Sequence, residues 1–383
     1  MTQPSETVAR RRRWALFAVA AVAAVIGVIV GSQSAEDEPA PATTTAGPPP
    51  PTCPDAIARS ARRLVGQMLV VRMEDEATPA LKHAIRRGEI GGVILFPTEP
   101  VDERALGRQV AALRDAAQAG DMPQPLVMID QEGGDVKRLP EAPPDVSPAE
   151  LARGKDSLAQ GLDTGRALAR LGIDVDLAPV LDLRASTASF IAPRAFGDTP
   201  NEVTELGVAF AHGLQRAGVA ATAKHFPGLG LATVSTDEGP STIDASRQEL
   251  APGLRPFAAA VAGSIDLVMV ANATYPAYDP NLPASLSRRV IGGLLRERLG
   301  FDGVVITDDL GAGALSGAGI GETEAAVGAA QAGADLLLYA LSDGAGAPEA
   351  LLKALRSGKL DRDALVTSCA RVTTLRDRVS PTG

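Results

Sequence analysis

Aromatic side chains are scarce in this chain of 383 residues: they make up 3%, with one tryptophan and three tyrosines. Trp14 falls in an apolar N-terminal run, so the rest of the chain has no tryptophan. A long groove paved with flat rings is thereby excluded, because such grooves hold their ligands by stacking on several platforms. Histidine is nearly as rare. His83, His212 and His225 show no ligand spacing on a helix, so neither a histidine metal cluster nor any other cofactor is expected. Beyond the N-terminus no stripe of Lys or Arg occurs, and the formal net charge is -9, which argues against a nucleic-acid partner. There are two cysteines, Cys53 and Cys369, near the two ends of the globular part. In an oxidising compartment such a pair reads as a disulfide; two unrelated buried thiols is the alternative.

What is present divides the chain into segments. Residues 1–13 form a basic tail ending in Arg10, Arg11, Arg12 and Arg13, directly before the uncharged run 14–31 (WALFAVAAVAAVIGVIVG). That order predicts a single membrane-spanning helix with its basic flank inside, retained as an anchor or cleaved as a signal. Residues 32–52 are rich in Pro, Thr and Ala and predict an extended stalk that holds the remainder, 53–383, outside the cytoplasm. The overall balance, 45% hydrophobic and 22% charged, suits a globular protein with a sizeable core. It is expected to be a monomer.

Within 53–383, apolar runs rich in Val, Ile and Leu alternate with segments of helical period. The runs are 66–72, 92–96, 125–130, 173–181, 219–225, 266–271, 303–308 and 334–339, with helices expected over 103–119, 158–171, 202–217, 248–262, 287–299 and 322–332. Gly172, Gly218, Gly300 and Gly333 stand between a helical run and a strand, as C-terminal caps do. Strands apolar on both faces and separated by helices predict one α/β domain, a (β/α)8 barrel. A doubly wound open sheet would call for a Gly-rich loop after the first strand, and RMEDE (72–76) is not one.

In such a barrel the chemistry lies where strands end. The third run ends in Asp130-Gln131-Glu132-Gly133-Gly134, the fourth in Asp182, the fifth in Lys224-His225, the sixth in Asn272 and the seventh in Asp308-Asp309. Charges delivered by apolar strands must be paired or functional. Each has a structural alternative: Lys224 as an ion pair with Asp130 or Asp308, His225 as a satisfied core residue, Asp182 as a partner for loop backbone. Asp335, at the start of the eighth run, belongs to the opposite face.

The segments GGVILF (91–96), VMIDQEGGDVKR (127–138), GIDVDLAPVLDL (172–183), PRAFG (193–197), AKHFPG (223–228), VMVANATYP (268–276) and LGFDGVVITDDL (299–310) resemble the catalytic barrel of glycoside hydrolase family 3, in its single-domain β-N-acetylglucosaminidase branch. The resemblance implies a retaining glycosidase acting on a terminal β-linked sugar. It implies Asp308 as nucleophile and Asp130, Arg138, Arg194, Lys224 and His225 as residues that hold the sugar hydroxyls. Placement outside the membrane suggests a cell-envelope glycan or peptidoglycan fragment as substrate.

The resemblance fails at one place. After KHFPG that branch carries an Asp-Ser-His whose histidine is the acid/base, whereas this chain reads Leu229 to Pro240 (LGLATVSTDEGP), with Asp237 at the histidine's place and Ser235 at the aspartate's. Three readings follow. Asp237 or its neighbour Glu238 supplies the proton; or good leaving groups make a strong acid unnecessary; or the barrel is catalytically impaired and serves as a saccharide-binding or scaffold protein at the cell surface. A second domain as source of the acid is not expected, since residues 341–383 suffice only for two or three helices of average length.

Overall fold

The computed structural model describes residues 52–379 apart from Lys155. The basic tail and apolar span, and all of the stalk but Thr52, lie outside the described residues. Among the described residues no helix is long and apolar enough to cross a membrane.

Eight strands carry the fold: β1 Leu69–Met73, β2 Gly92–Leu95, β3 Leu126–Ile129, β4 Val175–Asp176, β5 Ala220–Phe226, β6 Leu267–Val270, β7 Val304–Thr307 and β8 Leu337–Tyr339. All pair in parallel in the order 7-6-5-4-3-2-1-8, and a single bridge between Ile306 and Leu336 all but closes the ring. This is the expected α/β barrel. Its strands are buried on both faces because successive side chains alternate between two apolar layers. Val70, Ile94, Met128, Val175, Leu267, Ile306 and Leu338 fill the interior. Val93, Leu95, Val127 and Ile129 face outward onto Leu106, Val110 and Leu113 of the helix Glu103–Ala119.

The helix ends follow local chemistry. Thr199 with Glu202 and Ser246 with Glu249 form capping boxes at the starts of Pro200–Arg216 and Arg247–Ala262. Gly172, Gly218, Gly300 and Gly333 take φ of 76, 88, 73 and 102°, the left-handed values that make glycine the favoured residue at a helix end.

Three boundaries differ from expectation. The fourth run was expected to be extended over 173–181, but its ladder stops at Asp176 because Pro179 has no N–H to give. Beyond it the Leu177 amide still donates to the Ile129 carbonyl at 2.8 Å and the Thr222 amide to the Ala178 carbonyl at 2.8 Å, and past Pro179 an isolated bridge, Val180–Lys224, remains, with the Leu181 amide donating to the Lys224 carbonyl at 2.6 Å. Gly66 ends the helix Ala61–Gly66 instead of opening β1, and β8 starts at Leu337, not at 334.

At the base of the barrel Asp335, 1% exposed, accepts from Arg296 at 2.5 Å, Arg371 at 3.2 Å and the Val305 amide at 2.8 Å, and so ties helices to the bottom face. Cys53 and Cys369 are joined by a disulfide between residues 316 apart in sequence. It staples the segment before the barrel to the last helix, Arg362–Val379. A cross-link closing so long a loop restricts the unfolded chain strongly. Replacing both cysteines by alanine is expected to lower unfolding free energy by about 2–5 kcal/mol in urea titrations of the full chain; an unchanged midpoint would contradict this.

Candidate active site

The C-terminal end of β3 sets the first polar residues. Asp130 and Glu132, two apart, share one side of the extended chain, while Gln131 between them points the other way. The Gln131 side chain donates to the carbonyls of Leu139 and Pro143, both at 3.0 Å, and accepts from the Leu139 amide at 3.0 Å, anchoring the loop that brings Arg138 back to the site.

From β5, the Lys224 ammonium reaches Asp130 at 2.8 Å and Glu132 at 2.6 Å, with side chains of Lys224 and Glu132 only 2% and 1% exposed. Arg194 grips Glu132 with two parallel bonds, Nε to Oε2 at 2.8 Å and Nη2 to Oε1 at 2.7 Å. Burial by itself would raise the Glu132 pKa, but the two cations outweigh it and hold the carboxyl at about 2. Burial likewise works against a charged Lys224, yet Asp130 and Glu132 keep its pKa above the ordinary lysine value. Glu132 and Lys224 are therefore both ionised at neutral pH.

His225 is oriented by Asp182, whose Oδ2 meets the imidazole Nδ1 at 2.7 Å and accepts the His225 amide at 3.2 Å. The other oxygen of Asp182 accepts the Leu229 amide at 2.6 Å, so the expectation that Asp182 serves loop backbone holds. Arg138 lies over the Phe96 ring at 4.3 Å, and Arg72 is 4.5 Å from the same ring centre.

Asp308 emerges at the end of β7 with Oδ1 accepting from the Asp309 amide at 2.9 Å and Oδ2 lying 3.5 Å from the Thr236 hydroxyl. Asp309 turns away: it accepts from the amides of Gly311 at 2.6 Å, Ala340 at 2.5 Å and Leu341 at 2.8 Å, and burial lifts its pKa to about 6. Asn272 is also structural, donating to the Asp309 carbonyl at 2.6 Å. Asp237 stands at the rim. Much of its surface is open to water, yet the protein around it and the Asp308 carboxylate both raise its pKa. Water access moderates that shift but leaves its direction intact.

All these groups line one cavity of ≈160 Å³: Asp130, Glu132, Arg138, Arg194, Lys224, His225, Thr236, Asp237 and Asp308 among them. Glu238 is not part of its wall. Larger cavities occur elsewhere, such as one of ≈480 Å³ around Asp335 at the barrel base. The smaller one combines a carboxyl pair of unlike environment with a cationic cluster, which is the pattern of a catalytic pocket. Asp308, Asp237 and the five residues expected to hold the sugar converge there, whereas Glu238, Asp182 and Asn272 do not line it. Glu132 and Thr236 were not foreseen; the two-residue spacing of Asp130 and Glu132 was the signal for the former, and Thr236 had none.

The family model for the glycosyl hydrolase family 3 N-terminal domain matches residues 61–375. The chain belongs to glycosyl hydrolase family 3. Its family relatives include an uncharacterized secreted glycosyl hydrolase of Arthroderma benhamiae, 36% identical over 76% of this chain and 86% of that one. A beta-hexosaminidase of Methylococcus capsulatus is 34% identical over 73% of this chain and 88% of its own length. Among solved structures, a family 3 beta-N-acetylglucosaminidase from a Paenibacillus species superposes with a TM-score of 0.80 at 35% identity, over 85% of this chain. This chain spans 64% of that protein.

The ionisation of this family 3 site predicts a pH profile of stability. Glu132, at about 2 against an ordinary 4.5, contributes stability that is complete above 4.5 and is lost as pH falls toward 2. Asp309, and outside the site Asp266, which precedes β6 and pairs with Arg378 at 2.6 Å, are both at about 6 against 3.8 and bind their protons more tightly in the folded state, so the fold gains stability as pH drops through 6. Urea denaturation is expected to show maximal stability at about pH 4. Glu132→Gln should cost about 3–5 kcal/mol at neutral pH, since it removes the buried carboxylate that Arg194 and Lys224 share, and should flatten the acid limb. An acid limb identical to the parent's would refute the assignment.

Proposed function

We propose that this protein is a retaining glycosidase that removes a terminal β-linked N-acetylglucosamine-like sugar from a cell-envelope glycan or peptidoglycan fragment. The observation that carries the reading is the pair Asp308 and Asp237 in one cavity, with burial and the neighbouring carboxylate favouring a proton on Asp237. The names of the Methylococcus beta-hexosaminidase and the Paenibacillus beta-N-acetylglucosaminidase support the sugar. The apolar run 14–31 supports placement of the barrel outside the cytoplasm, on a single-pass anchor or, after cleavage, as a secreted domain.

In this mechanism Asp308 attacks the anomeric carbon while the glycosidic C–O bond breaks and the Asp237 proton passes to the leaving oxygen. The Asp237 carboxylate then takes a proton from water, whose oxygen displaces Asp308 and releases the sugar with its configuration retained. Asp130, Glu132, Arg138, Arg194, Lys224 and His225 hold the ring hydroxyls with charge-assisted bonds. The cavity volume of ≈160 Å³ suits one sugar ring and thus removal of a terminal unit. Glu238 drops out as the acid because it is not among the residues that line the cavity.

With the full chain and aryl β-N-acetylglucosaminides, Asp308→Ala is expected to abolish turnover. Asp237→Ala should lose about 10²–10⁴-fold in kcat/KM on poor leaving groups and keep most of kcat/KM on dinitrophenyl substrates, whose kcat falls with loss of the base and is restored by azide as the β-glycosyl azide forms. It should also lose the basic limb of the kcat/KM profile. A parent that turns over no aryl glycoside would favour a binding role instead.

A further inference from the structure

The loop that carries Asp237 is tied at both ends. At its start Asp182 holds the Leu229 amide at 2.6 Å. At its end the backbone is joined to the segment that follows Asp308: the Gly313 amide donates to the Asp237 carbonyl and the Ala314 amide to the Thr236 carbonyl, each at 2.9 Å. The Thr236 hydroxyl adds its 3.5 Å approach to Asp308. This contact admits no side chain. A Cβ at 313 would stand 2.6 Å from the carbonyl carbon and oxygen of Glu238 and 2.7 Å from the carbonyl oxygen of Asp237, and one at 317 would stand 2.7 Å from Cδ of Pro240. Neither glycine has a positive φ, and both lie in the short helix Gly313–Gly317, where glycine is a poor choice for the backbone. Close approach of the loop is the physical reason for glycine at both places.

We propose that Gly313, assisted by Gly317, is a positioning residue that sets the place of the Asp237 carboxyl relative to Asp308. Both catalytic groups then belong to one hydrogen-bonded unit, in which the loop after β7 presents the nucleophile and also docks the loop after β5. A methyl group at 313 displaces backbone that neither chain segment can yield without breaking the Gly313–Asp237 bond, so the acid/base moves while the sugar-holding cluster, with Lys224 on β5, Asp130 and Glu132 at the end of β3 and Arg194 after β4, stays in place. The inference rests on the assignment of Asp308 and Asp237 above.

The test is a leaving-group series of aryl β-N-acetylglucosaminides with the full chain and its Gly313→Ala variant. The expected result is an acid/base defect in a folded protein. The kcat/KM for glycosides of high-pKa phenols falls about 10²-fold or more, kcat/KM for the dinitrophenyl substrate stays within about threefold, and azide raises kcat of the dinitrophenyl reaction as it does for Asp237→Ala. Equal loss on every leaving group, or a series that follows the parent's, overturns the proposal. Gly317→Ala supplies a second arm: it should show a weaker defect of the same kind, relieved in Gly317→Ala/Pro240→Ala, where the clashing ring is gone. If Gly313→Ala does not fold, as judged by circular dichroism and thermal melting, this arm decides, and absence of relief counts against the proposal. An inactive parent, or an Asp237→Ala variant without leaving-group dependence, sinks the catalytic assignment itself; an active parent with a normal Asp237→Ala signature isolates the failure to the glycines.

Discussion

Lys224 enters the cavity as a buried ammonium, and Asp130 and Glu132 alone offset the cost of taking that charge out of water. Glu132 is itself buried and is tolerable only because Arg194 grips it from the other side. Three segments, the ends of β3 and β5 and the connection after β4, are thus locked together by charges none of which can be removed singly. A buried cluster of this kind adds little net stability compared with a well-packed apolar one. What it supplies is a rigid array of donors and acceptors whose geometry does not wait for the ligand, and this pre-organisation suits a pocket that must recognise hydroxyl groups in water.

The second pair of carboxyls is arranged on the opposite principle. Asp308 and Asp309 are adjacent in sequence, both border the cavity, and differ in their partners: one lies beside the Thr236 hydroxyl, the other accepts from three backbone amides of the loops after β7 and β8. Asp237 keeps a view of solvent but is pushed toward its protonated form by burial and by Asp308. Two carboxyls whose environments drive their ionisation apart are what divides the labour of acid and nucleophile in the proposed mechanism. In the proposed mechanism Asp237 takes the place of the histidine expected from the resemblance, a carboxyl that needs such an environment to hold a proton, and the loop joined at Gly313 carries it.

Much of this was legible beforehand. The alternation of apolar runs with helical segments, and the glycines at 172, 218, 300 and 333, announced the barrel because period and cap chemistry are local properties. The rule that charge at a strand end faces the C-terminal mouth was enough to single out Asp130, Lys224, His225 and Asp308. Arg138 and Arg194 lie in loops away from the strand ends and were reached through the resemblance. The fourth strand was read too long because an apolar run continued through Pro179, whose missing amide ends the ladder. Glu132 went unassigned despite standing two residues from Asp130, since its role depends on an arginine 62 positions away.

By itself, then, the sequence determined which elements form, in what order, and which titratable groups reach the mouth of the barrel, since these follow from side-chain periodicity along a single segment. Tertiary structure alone decided how those groups ionise and which of them meet. Whether Glu132 is an acid or a fixed anion depends on Lys224 and Arg194 arriving from elsewhere in the chain. Whether Asp237 or Glu238 faces the cavity depends on how the Leu229–Pro240 loop lies against Gly313. Electrostatic energies vary with distance and burial, quantities that a linear chain acquires only when it closes on itself.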